Sequence, residues 1–92
     1  MIKADIVKRI HQEVGIPEEV AGTLLDGILD LFKATLQKGE PIAIPNFGKF
    51  TVRSKAPRPG RNPRSGEAIT IAARRVVTFH ASPQLKADMN SV

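Results

Sequence analysis

The sequence contains no cysteine, tryptophan or tyrosine, and only four phenylalanines. Without cysteine the chain has neither disulfide bonds nor thiolate metal ligands. Its longest apolar runs span only a few residues, whereas a membrane-spanning helix needs about 20, and the first residues lack the apolar core of a secretory signal. These absences predict a cytoplasmic protein with no membrane partner.

Side chains suited to catalysis are also scarce. The two histidines, His11 and His80, lie in different predicted elements, and no nucleophile motif or metal-ligand cluster accompanies them. Gly60 and Gly66 lack the strand-loop-helix pattern of a phosphate-binding loop. The sequence therefore predicts that the protein is not an enzyme, with no catalytic residues, no metal and no cofactor.

The length of 92 residues predicts one domain, spanning residues 1–92. A chain of this size buries only about 60–65% of its unfolded surface, so a monomer without disulfide bonds would be marginally stable. Small domains of this kind often complete their core by oligomerising, and we expect this chain to do so.

Basic residues are concentrated in the middle of the chain. Residues 1–40 carry five basic and seven acidic side chains, whereas residues 41–80 carry eight basic side chains and a single acid, Glu67. Six of those eight are arginine, which is suited to bidentate phosphate contacts. Segregated charge favours a cationic surface that meets a polyanion, although a merely solvated cationic face is the simpler alternative.

Apolar residues recur at helical spacing in two segments near the N-terminus. The first covers residues 4–14 and is followed by Gly15, and the second begins at Pro17 and runs to about Lys38, before Gly39. Proline in a first turn and glycine just after a last turn are typical of helix boundaries. We therefore predict two helices here.

From residue 41 the spacing of apolar residues changes to two. This period predicts short strands around residues 42–44, 47–53 and 69–79, followed by a short last helix that Ser82 and Pro83 begin. The order of elements predicts an α+β fold. The strand phenylalanines are expected in the core, and without tyrosine or tryptophan a base-stacking platform for single strands or RNA is disfavoured.

Residues 54–68 contain three prolines, two glycines and four basic residues, which leave little to build a core. Two structures fit this composition, a long disordered loop or the tip of a protruding hairpin. An insertion of this size in so short a chain tends to be functional, and an isolated two-stranded ribbon is marginal in water. We expect the segment to be mobile until a polyanion orders it.

Arg58, Arg61 and Arg64 recur at every third residue of this segment. In an extended chain that spacing is about 10 Å, and such a ribbon is narrow enough to lie in a DNA groove. Pro63, next to Asn62 at the expected tip, is either a wedge that parts stacked base pairs or an ordinary turn residue. A basic arm that docks on an acidic protein is the alternative from another functional class.

Several motifs, read together, carry a family resemblance. They are Phe47-Gly48-x-Phe50, Arg58-Pro59-Gly60-Arg61-Asn62-Pro63-x-Ser65-Gly66, Ala73-Arg74-Arg75-Val76-Val77-Thr78-Phe79 and Leu85-Lys86. Over nearly the whole chain the sequence resembles the bacterial HU and integration host factor family. The resemblance implies a helical body, a three-stranded antiparallel sheet that extends into a β-ribbon arm (about 54–74), a short C-terminal helix and an intertwined dimer.

The resemblance also implies roles for individual residues. Two arms reach around duplex DNA in its minor groove, and Pro63 intercalates at each arm tip. The residues that line the arm are Arg58, Arg61, Asn62 and Arg64. The residues implied to contact phosphates from the body and the saddle between the arms are Lys3, Arg53, Lys55, Arg74, Arg75 and Lys86.

The chain departs from the family pattern at two places. Asn46 stands where the family usually has glycine, and asparagine tolerates such a turn. After Phe79 the family usually has a basic residue and then a glycine, whereas this chain has His80, Ala81 and Ser82-Pro83. A histidine is a weaker phosphate ligand near neutral pH, so binding is expected to be modestly sensitive to pH.

We therefore predict an architectural protein of the bacterial nucleoid that bends and compacts duplex DNA, largely independently of sequence, as a homodimer. The alternative is a sequence-specific subunit of the integration host factor type that acts in a heterodimer. Residues 74–77 are similar to the alpha subunit of integration host factor, whereas the compact ends are similar to HU. The residues leave both forms open.

Overall fold

The computed structural model describes residues 1–91 and contains the two long helices that the sequence predicts. Helix α1 spans Lys3–Val14 and helix α2 spans Glu18–Gln37. Although no serine, threonine or asparagine precedes α1, the Asp5 carboxylate accepts a hydrogen bond from the Ile2 N–H at 2.8 Å, which caps the helix start. Gly15 ends α1 with a φ of 85°, and its N–H donates to the His11 carbonyl.

Two units are distinguished along the chain, and the first comprises residues 1–34. Of residues 1–91, the buried apolar side chains are Ala21 and Leu25, both on α2. Other apolar side chains of this helix stay open: Leu24 is 51% exposed and Leu31 is 64% exposed. A single copy of the chain therefore leaves much of the apolar side of α2 uncovered.

The second unit, from Thr35 onward, contains the sheet. Its strands are β1 (Ile42–Ile44), β2 (Gly48–Lys55), β3 (Arg58–Arg61), β4 (Ala68–Ile71) and β5 (Arg74–Ala81). Strands β1, β2 and β5 form an antiparallel sheet in the order β1-β2-β5, and β3 pairs with β4 as a separate hairpin. Helix α3, Pro83–Asn90, follows β5.

The segment for which the sequence left a loop and a hairpin open is a hairpin. Strands β2 and β5 pair without interruption as far as Lys55 and Arg74. Residues 56–57 and 72–73 then interrupt both strands at the same level, and β3 and β4 continue as the arm beyond them. The single strand predicted around residues 69–79 is therefore two strands, β4 and β5, separated by residues 72–73. Strand β3 was not predicted, because prolines and arginines dominate that segment.

The turn between β1 and β2 and the first residue of β2 both place constraints on the side chain. Asn46 has a positive φ of 65°, which asparagine adopts more readily than most residues. A Cβ on the buried Gly48 would lie 2.6 Å from the His80 carbonyl oxygen, so only glycine fits. The ring of Phe79 fills this space, with its centroid 5.3 Å from that of Phe47 and 4.8 Å from that of Phe50.

Helix α3 begins as the sequence predicts. The Ser82 hydroxyl accepts a hydrogen bond from the Leu85 N–H at 3.0 Å, and Pro83 follows in the first turn. The Ser82 N–H donates to the Phe47 carbonyl at 2.9 Å. The helix start is thereby fixed to the turn that precedes β2.

Candidate nucleic-acid interface

Strands β2 and β5 form a ribbon whose two faces differ in chemistry. Alternate residues of a strand point to opposite faces, and the pairing of Lys49 with His80 and of Lys55 with Arg74 fixes which side chains share a face. One face carries a row of basic side chains, which we call the basic face. Its members are Lys49, Arg53, Lys55, Arg74 and His80.

The basic face carries no opposing charge of its own. Neither strand sequence contains an acidic residue. At the middle of the face Thr51 and Thr78 lie opposite each other, and their hydroxyl oxygens share a hydrogen bond of 2.7 Å. Arg53, Lys55 and Arg74 are exposed, so the ribbon presents to solvent cationic side chains of the kind that bind phosphate oxygens.

The opposite face of the same ribbon is mainly apolar, with Phe50, Val52, Val77 and Phe79. Val77 is 53% exposed and Phe79 is 41% exposed. Arg75 lies at the end of this face, opposite Ser54. The resemblance placed Arg74 and Arg75 in one phosphate-binding set, but the structure puts them on opposite faces of the ribbon, because they are neighbours in a strand.

The arm also divides its arginines between two faces. In the register of β3 and β4, Arg58 pairs with Ile71 and Arg61 pairs with Ala68. Since the two arginines are three residues apart, they point to opposite sides of the arm. A Cβ on Gly60 would lie 2.9 Å from the Ile71 side chain, so glycine allows the hairpin to stay thin at this level.

The tip of the arm is held by hydrogen bonds. The Asn62 N–H donates to the Glu67 carbonyl at 2.9 Å, and the Gly66 N–H donates to the Asn62 carbonyl at 2.8 Å. The Asn62 amide oxygen accepts from the Arg64 N–H at 2.9 Å, and Gly66 adopts a φ of 72°. Pro63 is exposed at this turn. Asn62 thus holds the turn that presents Pro63.

The remaining sequence-predicted phosphate ligands lie on helices. Lys3, at the start of α1, is exposed and forms an ion pair with Asp26 of α2. Lys86 is exposed on α3. A phosphate that binds Lys3 would therefore compete with the Asp26 carboxylate. No pattern in the sequence indicates this ion pair.

One member of the basic face is not among the residues that the family resemblance implies. Lys49 is one of the eight basic residues between 41 and 80, and its alternation with Thr51, Arg53 and Lys55 is the sequence signal that points to it. The two histidines separate in role. The His11 ring lies 2.6 Å from the Ile16 carbonyl and helps to form the bend after α1, whereas His80 belongs to the basic face.

Other kinds of site find little support in the part of the chain that the structure describes. No group of three or more carboxylate or imidazole side chains within residues 1–91 could hold a metal ion. Over the same residues, none of the helices combines the length and apolar character needed to cross a membrane.

A basic antiparallel ribbon that continues into a proline-tipped arm defines a nucleic-acid-binding protein of the β-ribbon class. The family model described as bacterial DNA-binding protein matches residues 1–90. The chain belongs to this family, and the predicted relationship to HU and integration host factor is confirmed. Members of the family are DNA-binding architectural proteins rather than enzymes, which confirms that prediction too.

Similar sequences include alpha subunits of integration host factor. The protein of Delftia acidovorans is 46% identical over 86 residues, which cover 94% of this chain and 78% of that protein. The protein of Bdellovibrio bacteriovorus is 48% identical over 90 residues, which cover 98% of this chain and 82% of that protein. The similarity predicted from residues 74–77 is in agreement with these relatives.

Similar solved structures include HU proteins. The HU protein of Anabaena, in a cocrystal structure with DNA, matches with a TM-score of 0.91, 25% identity and full coverage of both chains. A point mutant of HU from Thermotoga maritima matches with a TM-score of 0.71 and 27% identity over 97% of this chain and 99% of that one. The predicted α+β fold of the single chain is confirmed. The family binds DNA and forms dimers.

Proposed function

We propose that the protein is an architectural component of the bacterial nucleoid that binds duplex DNA in its minor groove, bends it and compacts it. The observation that carries this proposal is the ribbon of β2 and β5, whose basic face leads directly into an arm with an exposed Pro63 at its tip. The DNA lies along the basic face, and the arm continues around it.

Phosphate contacts supply most of the affinity. Each subunit offers four side chains that are charged at neutral pH on one face, namely Lys49, Arg53, Lys55 and Arg74. Each phosphate that these groups neutralise releases a counterion, so binding weakens as salt is added. Contacts of this kind position the duplex without reading its sequence.

The arm supplies the bend. Arg58 and Arg61 point to opposite sides of the hairpin, so a hairpin lying in the minor groove directs one arginine to each wall. Pro63 offers a rigid apolar ring without an N–H, held by the hydrogen bonds of Asn62. Such a wedge separates two stacked base pairs at a cost of a few kcal/mol, which the wrapped basic surface offsets.

The functional unit is an intertwined dimer of this chain. A single copy leaves the apolar face of the ribbon and the apolar side of α2 exposed, with Val77 and Leu24 both about half accessible. A second copy covers such surfaces. Two copies also provide two arms and two proline wedges, which bend the duplex at two points.

A second form of this function is favoured by the similar sequences. The relatives of Delftia acidovorans and Bdellovibrio bacteriovorus are named integration host factor subunit alpha. In that form the chain pairs with a different subunit and prefers particular DNA sites. The homodimer form predicts strong binding by the chain alone to a duplex of arbitrary sequence, whereas the heterodimer form predicts weak binding.

The experiment is a titration of a fluorescent duplex of about 35 base pairs with the purified chain at several salt concentrations. For a dimer that neutralises six or more phosphates, affinity falls about a thousandfold or more between 50 and 200 mM salt. Arg53→Gln makes the decrease of log affinity with log salt, the salt slope, less steep, because one phosphate contact per subunit is lost. Lys33→Gln on α2 leaves this dependence unchanged. An affinity that is independent of salt contradicts the proposal.

A further inference from the structure

The C-terminal end of α2 is capped by backbone hydrogen bonds and by an arginine side chain. The Gly39 N–H donates to the Leu36 carbonyl at 2.9 Å and the Glu40 N–H donates to the Thr35 carbonyl at 3.2 Å. With Gly39 at a φ of 82°, these bonds form a Schellman motif. The motif leaves the Gln37 carbonyl to another donor.

That donor is Arg75, 38 residues further along the chain. Its Nη2 group donates to the Gln37 carbonyl at 2.7 Å. The last turn of α2, which lies wholly within the described residues, contains no basic side chain of its own. The guanidinium therefore places a positive charge directly on a carbonyl of the helix C-terminus, through a charge-assisted hydrogen bond.

Arg75 holds this position at the base of the arm. It pairs with Ser54, one residue before the ribbon of β2 and β5 ends. The interruption at residues 72–73 precedes it along the chain, and the arm lies beyond that interruption. The contact with Gln37 thus fixes the last residues of the ribbon against the last turn of α2.

We propose that Arg75 is a positioning residue for DNA bending: it clamps the base of the arm to the C-terminal turn of α2 instead of binding a DNA phosphate. The neighbouring Arg74 is the phosphate ligand of the pair, because it shares the basic face with Lys55. The bending part of this inference rests on the proposed function, whereas the clamp is a property of the DNA-free protein.

The test compares Arg75→Gln and Arg75→Lys with Arg74→Gln, which removes a charge one residue away on the other face. In the DNA-free protein, we expect Arg75→Gln to speed amide hydrogen exchange at Gly39 and Glu40 by roughly three- to tenfold, and Arg74→Gln to leave it unchanged. Arg75→Lys, which keeps a cationic donor, restores part of the protection and serves if Arg75→Gln does not fold.

The DNA measurements separate positioning from phosphate binding. Arg75→Gln is expected to show the same dependence of affinity on salt as the wild type. At a protein concentration that saturates the duplex, however, it is expected to give less energy transfer between dyes at the duplex ends. Arg74→Gln is expected to lower the slope by about 0.9 for each phosphate that the variant no longer neutralises.

Unchanged exchange in Arg75→Gln would overturn the clamp. A salt slope reduced as in Arg74→Gln, or faster exchange with an unchanged bend, would overturn the positioning role of Arg75 in bending. If none of the proteins binds DNA, the proposed function fails, and the exchange data still decide whether Arg75 caps α2.

Discussion

At the scale of single residues, the charge of the basic face depends on one departure from the family pattern. His80 lies opposite Lys49 on this face, where the resemblance leads one to expect a basic residue. A lysine offers an ammonium group on a long, flexible side chain, whereas a histidine offers a shorter imidazole. Under the proposed function, the basic face therefore offers its weakest phosphate donor at this end of the ribbon.

His80→Lys is expected to strengthen DNA binding at neutral pH. The added ammonium group extends the basic face by one permanent charge, so the salt slope becomes steeper by up to about 0.9 per subunit. A matched variant, Gln12→Lys, adds the same charge to the exposed surface of α1. Fluorescence titrations that give both variants the same slope would show that position 80 does not meet a phosphate.

The partner of Arg75 could not be predicted at this scale. The alternation of a strand assigns consecutive arginines to opposite faces, so the separation of Arg74 from Arg75 follows from the sequence once β5 is accepted. The contact with Gln37 joins residues far apart in the chain, and no local pattern carries that information. The same holds for the ion pair of Lys3 with Asp26.

At the scale of elements, the sequence predicted the three helices and the approximate positions of β1 and β2 from their periods, but it merged β4 and β5 into one strand. Gly15 and Ser82 mark ends that the structure places at the same positions. The arm was harder to predict because proline, glycine and arginine obscure the period of two. Its first strand, Arg58–Arg61, is recognised from its pairing with Ala68–Ile71, and pairing is a non-local property.

Gly48→Ala tests the junction of β1, β2 and β5. The added methyl group would lie 2.6 Å from the His80 carbonyl oxygen and against the Phe79 ring, so the start of β2 must move. We expect a decrease of about 1–3 kcal/mol in the free energy of unfolding, measured by urea denaturation at a fixed protein concentration.

Gly27→Ala is the control for that variant. A Cβ at position 27 of α2 meets no described atom within 4 Å, and alanine favours a helix by up to about 1 kcal/mol. Gly27→Ala is therefore expected to be at least as stable as the wild type. If Gly48→Ala is also as stable as the wild type, the start of β2 does not pack closely against β5.

At the scale of the whole molecule, one chain is an incomplete structure. The buried apolar side chains of residues 1–91 are Ala21 and Leu25, while Leu24, Val77 and Phe79 stay substantially exposed. The family forms dimers, and the short length of the chain already predicted that its core is completed by assembly. Under the proposed function, the arrangement of two copies determines where two arm tips meet a duplex, so the bend is expected to be a property of the dimer.

The central claim, that this protein bends DNA with its arm tips, is tested most directly by energy transfer between dyes on the two ends of a duplex of about 35 base pairs. The account predicts that the wild type brings the ends together and that salt reverses the effect. Pro63→Ala is predicted to bind with a similar salt slope but to bend less, while Pro57→Ala, outside the tip, bends like the wild type. Saturated binding without approach of the duplex ends, or a bend that Pro63→Ala leaves unchanged, would contradict the account.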